Sequence, residues 1–256
     1  MWWMYLVSFL LLPFVIYFMK VGNISVTVWL IVCLSGLVHF FYTVSLSYAY
    51  DNGDLSLVYP LARSAPLFVV IGSVFFLKEI PSFMGLIGII LTVIGAYVIG
   101  LESLTINQFI RPLVMLRKRP YQLALLTAVI TAAYSVVDRI GVSLIDPFFF
   151  IVLLLFVETI FYTPFVLWKK RKFILQEWYE NKKVILIAGL VRFLSYLLIL
   201  YTMIQTQLNY IVSVRQMSIV FAVVSGSFIL NEKHLRVRLI GSFCILSGII
   251  LIGYKG

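Results

Sequence analysis

The chain has 256 residues, 62% of them hydrophobic and 12% charged, with a mean hydropathy of +1.08. Soluble domains carry about 25% charged residues, so this composition excludes a soluble globular protein and specifies an integral membrane protein of the multi-pass type. The net charge of +10 does not indicate nucleic acid, because the basic residues cluster between apolar segments, where they orient the chain and meet anionic lipid headgroups.

Nine apolar segments are long enough to cross a bilayer as helices: 2–19, 28–50, 55–77, 83–101, 121–141, 147–168, 184–206, 208–230 and 237–254. The first lacks a basic leader and a small-residue cleavage site, so it reads as a span and not as a signal peptide. In the third, Arg63 lies about 12 Å inside the apolar run, near mid-bilayer, with Pro60 and Pro66 on either side. An arginine at that depth costs at least a few kcal/mol unless it faces a polar cavity or a partner. The prolines deprive the carbonyls of Ser56 and Ala62 of their helical donors. The stretch is either a packing kink with a paired arginine or a solute site at the bilayer midplane, where freed carbonyls are tolerated. Asp54 or Ser56 is suited to cap the start of this helix.

Between the fourth and fifth spans, residues 102–120 alternate Phe109, Ile110, Leu113, Val114 and Leu116 with Arg111 and the run Arg117, Lys118 and Arg119. This pattern suits a short amphipathic element on the membrane surface. Residues 169–183 have the same character, with Trp178 and Tyr179 as interfacial anchors. In 121–141, the adjacent Asp138 and Arg139 are read as serving a helix terminus. Glu158 falls mid-span in 147–168, where it is either a neutral or Arg-paired helix contact or a proton carrier.

If the spans alternate, one side collects Arg111, Arg117, Lys118, Arg119, the six basic residues of 169–183, Lys233, Arg236 and Arg238. The other collects only Lys20, Lys78, Arg139 and Lys255. The basic side is expected to be cytoplasmic, in the cell membrane, with the C-terminus outside. Cys33 and Cys244 lie within apolar spans and are expected to be buried free thiols. With His39 and His234 as the histidines and no HExxH, neither a metal site nor a cofactor is expected.

The chain repeats itself at an offset of 153 residues. GLVHFFY at 36–42 falls on GLVRFLS at 189–195, so His39 matches Arg192, while Tyr48 matches Tyr201 and Glu79 matches Glu232. Gly88, Gly95 and Gly100 match Gly241, Gly248 and Gly253, a spacing that also lets helices approach closely. With a slip of one residue, Arg63 matches Arg215. The expected organisation is a first repeat at 1–101 with four spans, a linker at 102–120, and a second repeat at 121–256 with five. The counterpart of 121–141 would fall before Met1, and an upstream start is expected. The alternative is a nine-span protein completed by a homo-oligomer or partner subunit. An odd number of spans per repeat unit sets the halves in opposite senses.

Three stretches carry a resemblance: YDNGDLSLVYPLARSAP, the first-half close FFLKE…GLIGIILTVIGAYVIG, and the second-half RQMSIVFAVVSGSFILNEK…RLIGSFCILSGIILIGY. On these the chain resembles the EamA-type family of the drug/metabolite transporter superfamily, along nearly its whole length. The resemblance implies an all-α membrane fold of two inverted five-span repeats, here without the first span, and transport of a small organic solute by alternating access. It also implies cytoplasmic termini, against the charge count. By the same resemblance, 28–50, 55–77, 184–206 and 208–230 line the central cavity. Those segments hold His39, Arg63, Arg192 and Arg215, with Tyr59 and Tyr196 one helical turn from Arg63 and Arg192. Facing guanidiniums make a bidentate host for carboxylate or phosphate, so these six residues are the candidate substrate site for an anionic or zwitterionic metabolite. Ordinary packing with a hydroxyl hydrogen bond is the alternative for the tyrosines. A non-transporting subunit and an intramembrane enzyme are the other classes. The latter finds only Ser225, Ser227 and a distant histidine to work with.

Overall fold

The computed structural model describes residues 2–9, 13, 24–169, 171–230 and 235–255. Among them the regular structure is helical: α1 (Trp2–Phe9), α2 (Val26–Asn52), α3 (Leu55–Ala62), α4 (Ala65–Gly72), α5 (Phe83–Ile99), α6 (Ile106–Val114), α7 (Arg119–Leu144), α8 (Pro147–Lys169), α9 (Arg171–Gln205), α10 (Leu208–Val214), α11 (Met217–Leu230) and α12 (Leu235–Lys255). Seven stretches of the described residues are long and apolar enough to cross a membrane, and α5 is apolar but 17 residues long. The rest of the expected 2–19 span lies outside the described residues. Large apolar side chains point outward, among them Phe75, Phe83, Phe243 and Ile250, as lipid contact requires.

Several helices differ from the sequence reading. The 55–77 span is broken between α3 and α4, because Pro66 supplies no amide for the carbonyl of Ala62. Pro60 is accommodated inside α3. After α4, a π-helical turn at Ser73–Leu77 ends on Lys78, whose φ of 58° is left-handed. The 208–230 span also breaks, at Arg215–Gln216, between α10 and α11. The polar stretch 169–183 is no separate surface element, since α9 runs unbroken through 171–183 into its apolar part. Helix α7 continues past 141 to Leu144, so Asp138 is not terminal. Cys33 is exposed and Cys244 half-buried, not buried as expected, because a membrane helix can turn a small apolar residue toward lipid.

The chain divides into two compact units, one of residues 1–41 and 137–205, the other of 42–136 and 206–256. In the first unit, α1 packs against α8 and α9 through aromatic residues. Trp2 Nε1 donates to Thr163 Oγ1 at 3.1 Å, Trp3 Nε1 donates to the carbonyl of Ile174 at 3.0 Å, and Tyr5 stacks on Tyr162. Gly36 of α2 packs so closely on α8 that a Cβ there would stand 2.6 Å from Val157 Cγ1.

In the second unit α5 and α12 cross backbone to backbone. A Cβ on Gly88 would meet the carbonyl oxygen of Gly248 at 2.6 Å, and one on Gly95 that of Gly241 at 2.5 Å. The pairing runs antiparallel, and in the sequence repeat Gly88 matches Gly241 while Gly95 matches Gly248. Glu79 fastens the start of α10: its Oε2 accepts the Leu208 amide at 2.6 Å, and its carbonyl accepts from Asn209 Nδ2 at 3.3 Å. Tyr210 accepts the Ser82 amide at 2.8 Å, and Ser82 in turn caps α5 by accepting the Gly85 amide. Helix α6 presents Ile106, Ile110, Leu113 and Val114 outward, an apolar face at helical spacing. Tyr97 donates to the carbonyl of Phe109 on this helix, and Arg111 pairs with Asp54 at 3.8 Å.

Candidate functional site

In the second unit the two helix breaks meet. Gln216, 3% exposed, donates through Nε2 to the carbonyl of Arg63 at 2.9 Å. Each break therefore supplies an arginine, and one bond ties the two together. The first break follows from chain chemistry. Pro66 stands in the first turn of α4, where its missing amide is harmless, and Ser64 donates back to the carbonyl of Leu61 at 2.7 Å. The second break has no proline. The carbonyl of Arg215 accepts both the Ser218 amide at 3.2 Å and the Ser218 hydroxyl at 2.9 Å.

Both arginines are half-buried. The Arg63 guanidinium carbon lies 5.1 Å from the centre of the Tyr59 ring, a cation–π distance. Tyr42 is within electrostatic range of both Arg63 and Arg215, and its ring meets Tyr134 edge-on at 5.5 Å. Among the described residues no carboxylate pairs with Arg63. A cleft of about 480 Å³ lies beside α3 and α11, with Tyr59 on one wall, Ile219 and Val223 on the other, and Glu102 and Arg238 also lining it; its lining includes neither Arg63 nor Arg215. That volume falls in the range of small-molecule sites.

The other three candidates lie in the first unit, in a second polar cluster. Arg192 pairs with Glu158 at 3.2 Å, and its guanidinium carbon stacks 3.9 Å from the centre of the Tyr5 ring. Tyr196 donates to Asp138 Oδ2, and its hydroxyl is 3.2 Å from His39 Nε2. Ser35 donates to Asp138 Oδ1. Sequence reasoning missed Asp138, Ser35 and Gln216 as site residues. Asp138 had a usable signal, an acid in an apolar run that continues beyond it to Leu144. Gln216 had only its place beside the repeated arginine.

The apolar helical chain has a counterpart among known sequences. Residues 1–101 and 118–254 match the EamA-like transporter family. The chain belongs to that family. No curated protein gives a significant match. EamA-like proteins are in general solute transporters, so the all-helical chain described here is a multi-pass membrane protein of a transporter family.

Proposed function

We propose that the protein is a secondary transporter in the cell membrane, carrying a small anionic or zwitterionic organic solute by alternating access between two inverted repeats. The observation that carries this reading is the junction of the two helix breaks, with Arg63 and Arg215 at its ends and the Gln216–Arg63 hydrogen bond between them. Interrupted membrane helices expose main-chain groups where a solute can use them, and paired guanidiniums suit a carboxylate or phosphate. The reciprocal glycine crossing of α5 and α12 supports the inverted plan, because matched residues of the two halves exchange places in it.

In this reading Arg63 and Arg215 hold the acidic group and Tyr59 positions Arg63. His39, Arg192 and Tyr196 act through the acids Asp138 and Glu158. A thermal-shift screen of the purified protein against carboxylates, phosphates and amino acids identifies ligands. Counterflow of the best ligand in proteoliposomes then tests the site. Arg63→Gln and Arg215→Gln should each reduce exchange at least tenfold, a loss of about 1.4 kcal/mol of binding, while the variants remain folded. Arg→Lys should restore it in part, since the planar fork is lost. Wild-type exchange in both Gln variants would overturn the assignment.

A further inference from the structure

The arginine junction leaves the most deeply buried acids among the described residues unexplained. Asp138 is 0% and Glu158 1% exposed, each in the interior of a membrane helix. Asp138 holds two hydroxyl donors, Ser35 on Oδ1 and Tyr196 on Oδ2, and its Oδ2 lies 3.8 Å from His39 Nε2. On the far side of the imidazole, Nδ1 is 3.0 Å from the carbonyl oxygen of Ser35 and 3.3 Å from its hydroxyl. A carbonyl has no proton to give, so Nδ1 is the donor and keeps its hydrogen in either charge state. The proton that can come and go is therefore the one on Nε2, which faces Tyr196 and Asp138.

Within this group of four, a neutral His39 and an ionised Asp138 both look to the single Tyr196 proton. Adding one proton resolves the competition. Nε2–H then points at the Tyr196 oxygen and Asp138, and the Tyr196 hydroxyl stays on the carboxylate.

The charges agree with the hydrogen bonds. Among the described residues, the ionisable groups with contacts in the cluster are His39 from α2, Asp138 from α7, Glu158 from α8, and Arg192 and Tyr196 from α9, with Tyr5 of α1 over Arg192. Arg139 follows Asp138 but is turned about 100° round α7. Arg192 and Glu158 cancel at 3.2 Å, and the Arg192 charge also reaches Tyr196. With His39 neutral these named groups sum to a formal −1, and one added proton brings that sum to zero, the cheaper state inside a membrane.

We propose that Asp138 and His39, bridged by Tyr196, form a one-proton site within the membrane, and that this proton is the coupling ion of the transport reading above, on which the second half of the proposal rests. The proton belongs to the pair and not to either residue alone. Its binding is a transfer from solvent to Nε2 or Asp138 with no other bond changed.

The full chain in lipid nanodiscs, labelled with 15N-histidine, gives one signal set for each of its two histidines, and His234→Gln assigns them. Between about pH 5 and 9, the Nε2 signal of His39 should titrate while Nδ1 stays protonated. Asp138→Asn should displace that transition by about one pH unit or more, the effect of removing a neighbouring charge. If Asp138→Asn does not fold, Tyr196→Phe keeps the ring, removes the shared hydroxyl and should displace the transition too. An unmoved transition, or titration at Nδ1, overturns the proton site.

The coupling half is read in proteoliposomes with succinate, glutamate and glycerol 3-phosphate as probes. Asp138→Asn should make counterflow exchange independent of pH and lower pH-gradient-driven accumulation at least tenfold more than it lowers exchange. Accumulation at the wild-type level, or exchange and accumulation falling by the same factor with the pH dependence kept, overturns the coupling role. Flux of none of the probes by the wild type counts against the transport reading, while the histidine titration still decides the proton site.

Discussion

The crossing of α5 and α12 makes a quantitative prediction. A Cβ on Gly95 would stand 2.5 Å from the Gly241 carbonyl oxygen and 2.8 Å from the Ile245 nitrogen, and ordinary contact begins at 3.4 Å. Both obstacles are main chain and cannot rotate away, so Gly95→Ala must part the helices by about 0.9 Å and strip contacts along the seam. Overpacking of this kind costs about 1–3 kcal/mol. At about 2–4 °C per kcal/mol for a chain of this size, the melting temperature should fall by roughly 2–12 °C. Gly241→Ala meets the Gly95 carbonyl at 2.7 Å and should behave alike. Once one substitution has opened the seam the other costs less, so the double variant should fall short of the sum by about 1 kcal/mol. Gly253, where a Cβ would meet nothing within 4 Å, is the control, and Gly253→Ala should melt at or above the wild type. The assay is thermal unfolding in a single detergent, followed by tryptophan fluorescence. Gly95→Ala melting with the Gly253→Ala control, or a fully additive pair, would refute a backbone-to-backbone crossing.

Other outcomes follow from single features. Arg192→Gln strands Glu158, 1% exposed, whereas Glu158→Gln leaves a guanidinium that is 35% exposed and stacked on Tyr5, so the first should lower the melting temperature more. Equal losses would contradict that asymmetry. Lys78→Gly removes a side chain from a left-handed position and should raise the melting temperature by a few degrees, for a gain of about 1 kcal/mol; a fall would show that the side chain makes contacts outweighing the strain. For topology, a cysteine replacing Lys118 should resist a membrane-impermeant reagent applied to intact cells, and one replacing Lys255 should react. The reverse pattern would place the basic side outside.

Much of the helical plan was legible because lipid demands long apolar runs, and such runs need no partner to be recognised. The first helix break was legible too, since Pro66 removes a specific donor. The second was not. It depends on Ser218 and Gln216 finding acceptors in the folded chain, and neither residue breaks helices by itself. The charged stretch 169–183 looked like a surface element, yet it continues a helix. Gln176 pairs with Glu180, and Asn181 with Glu177, each at a spacing of four that side chains share only on a helix. Asp138 was hidden by its neighbour: an adjacent acid and base near a span's end imitate a terminus, and the helix's further three residues past Gly141, to Leu144, were needed to see otherwise. Which candidates come together was beyond sequence reach. Pairing Tyr196 with Asp138 and Gln216 with Arg63 takes tertiary packing, and helical spacing relates only residues of one helix.

The bond from Glu79 to the Leu208 amide also matters to anyone fitting the protein with a reporter. Residues 78–82 invite an inserted tag, being short, polar at Lys78 and Ser82, exposed at Ile80 and followed by exposed Phe83. Yet this segment works as a splint. The left-handed Lys78 turns the chain so that Glu79 reaches Leu208, and Ser82 both starts α5 and donates to Tyr210. A peptide spliced in there would separate groups whose spacing holds α10 in place. Between half-buried Ser103 and exposed Leu104, ahead of the Thr105 carbonyl that starts α6, added chain disturbs little beyond its own loop.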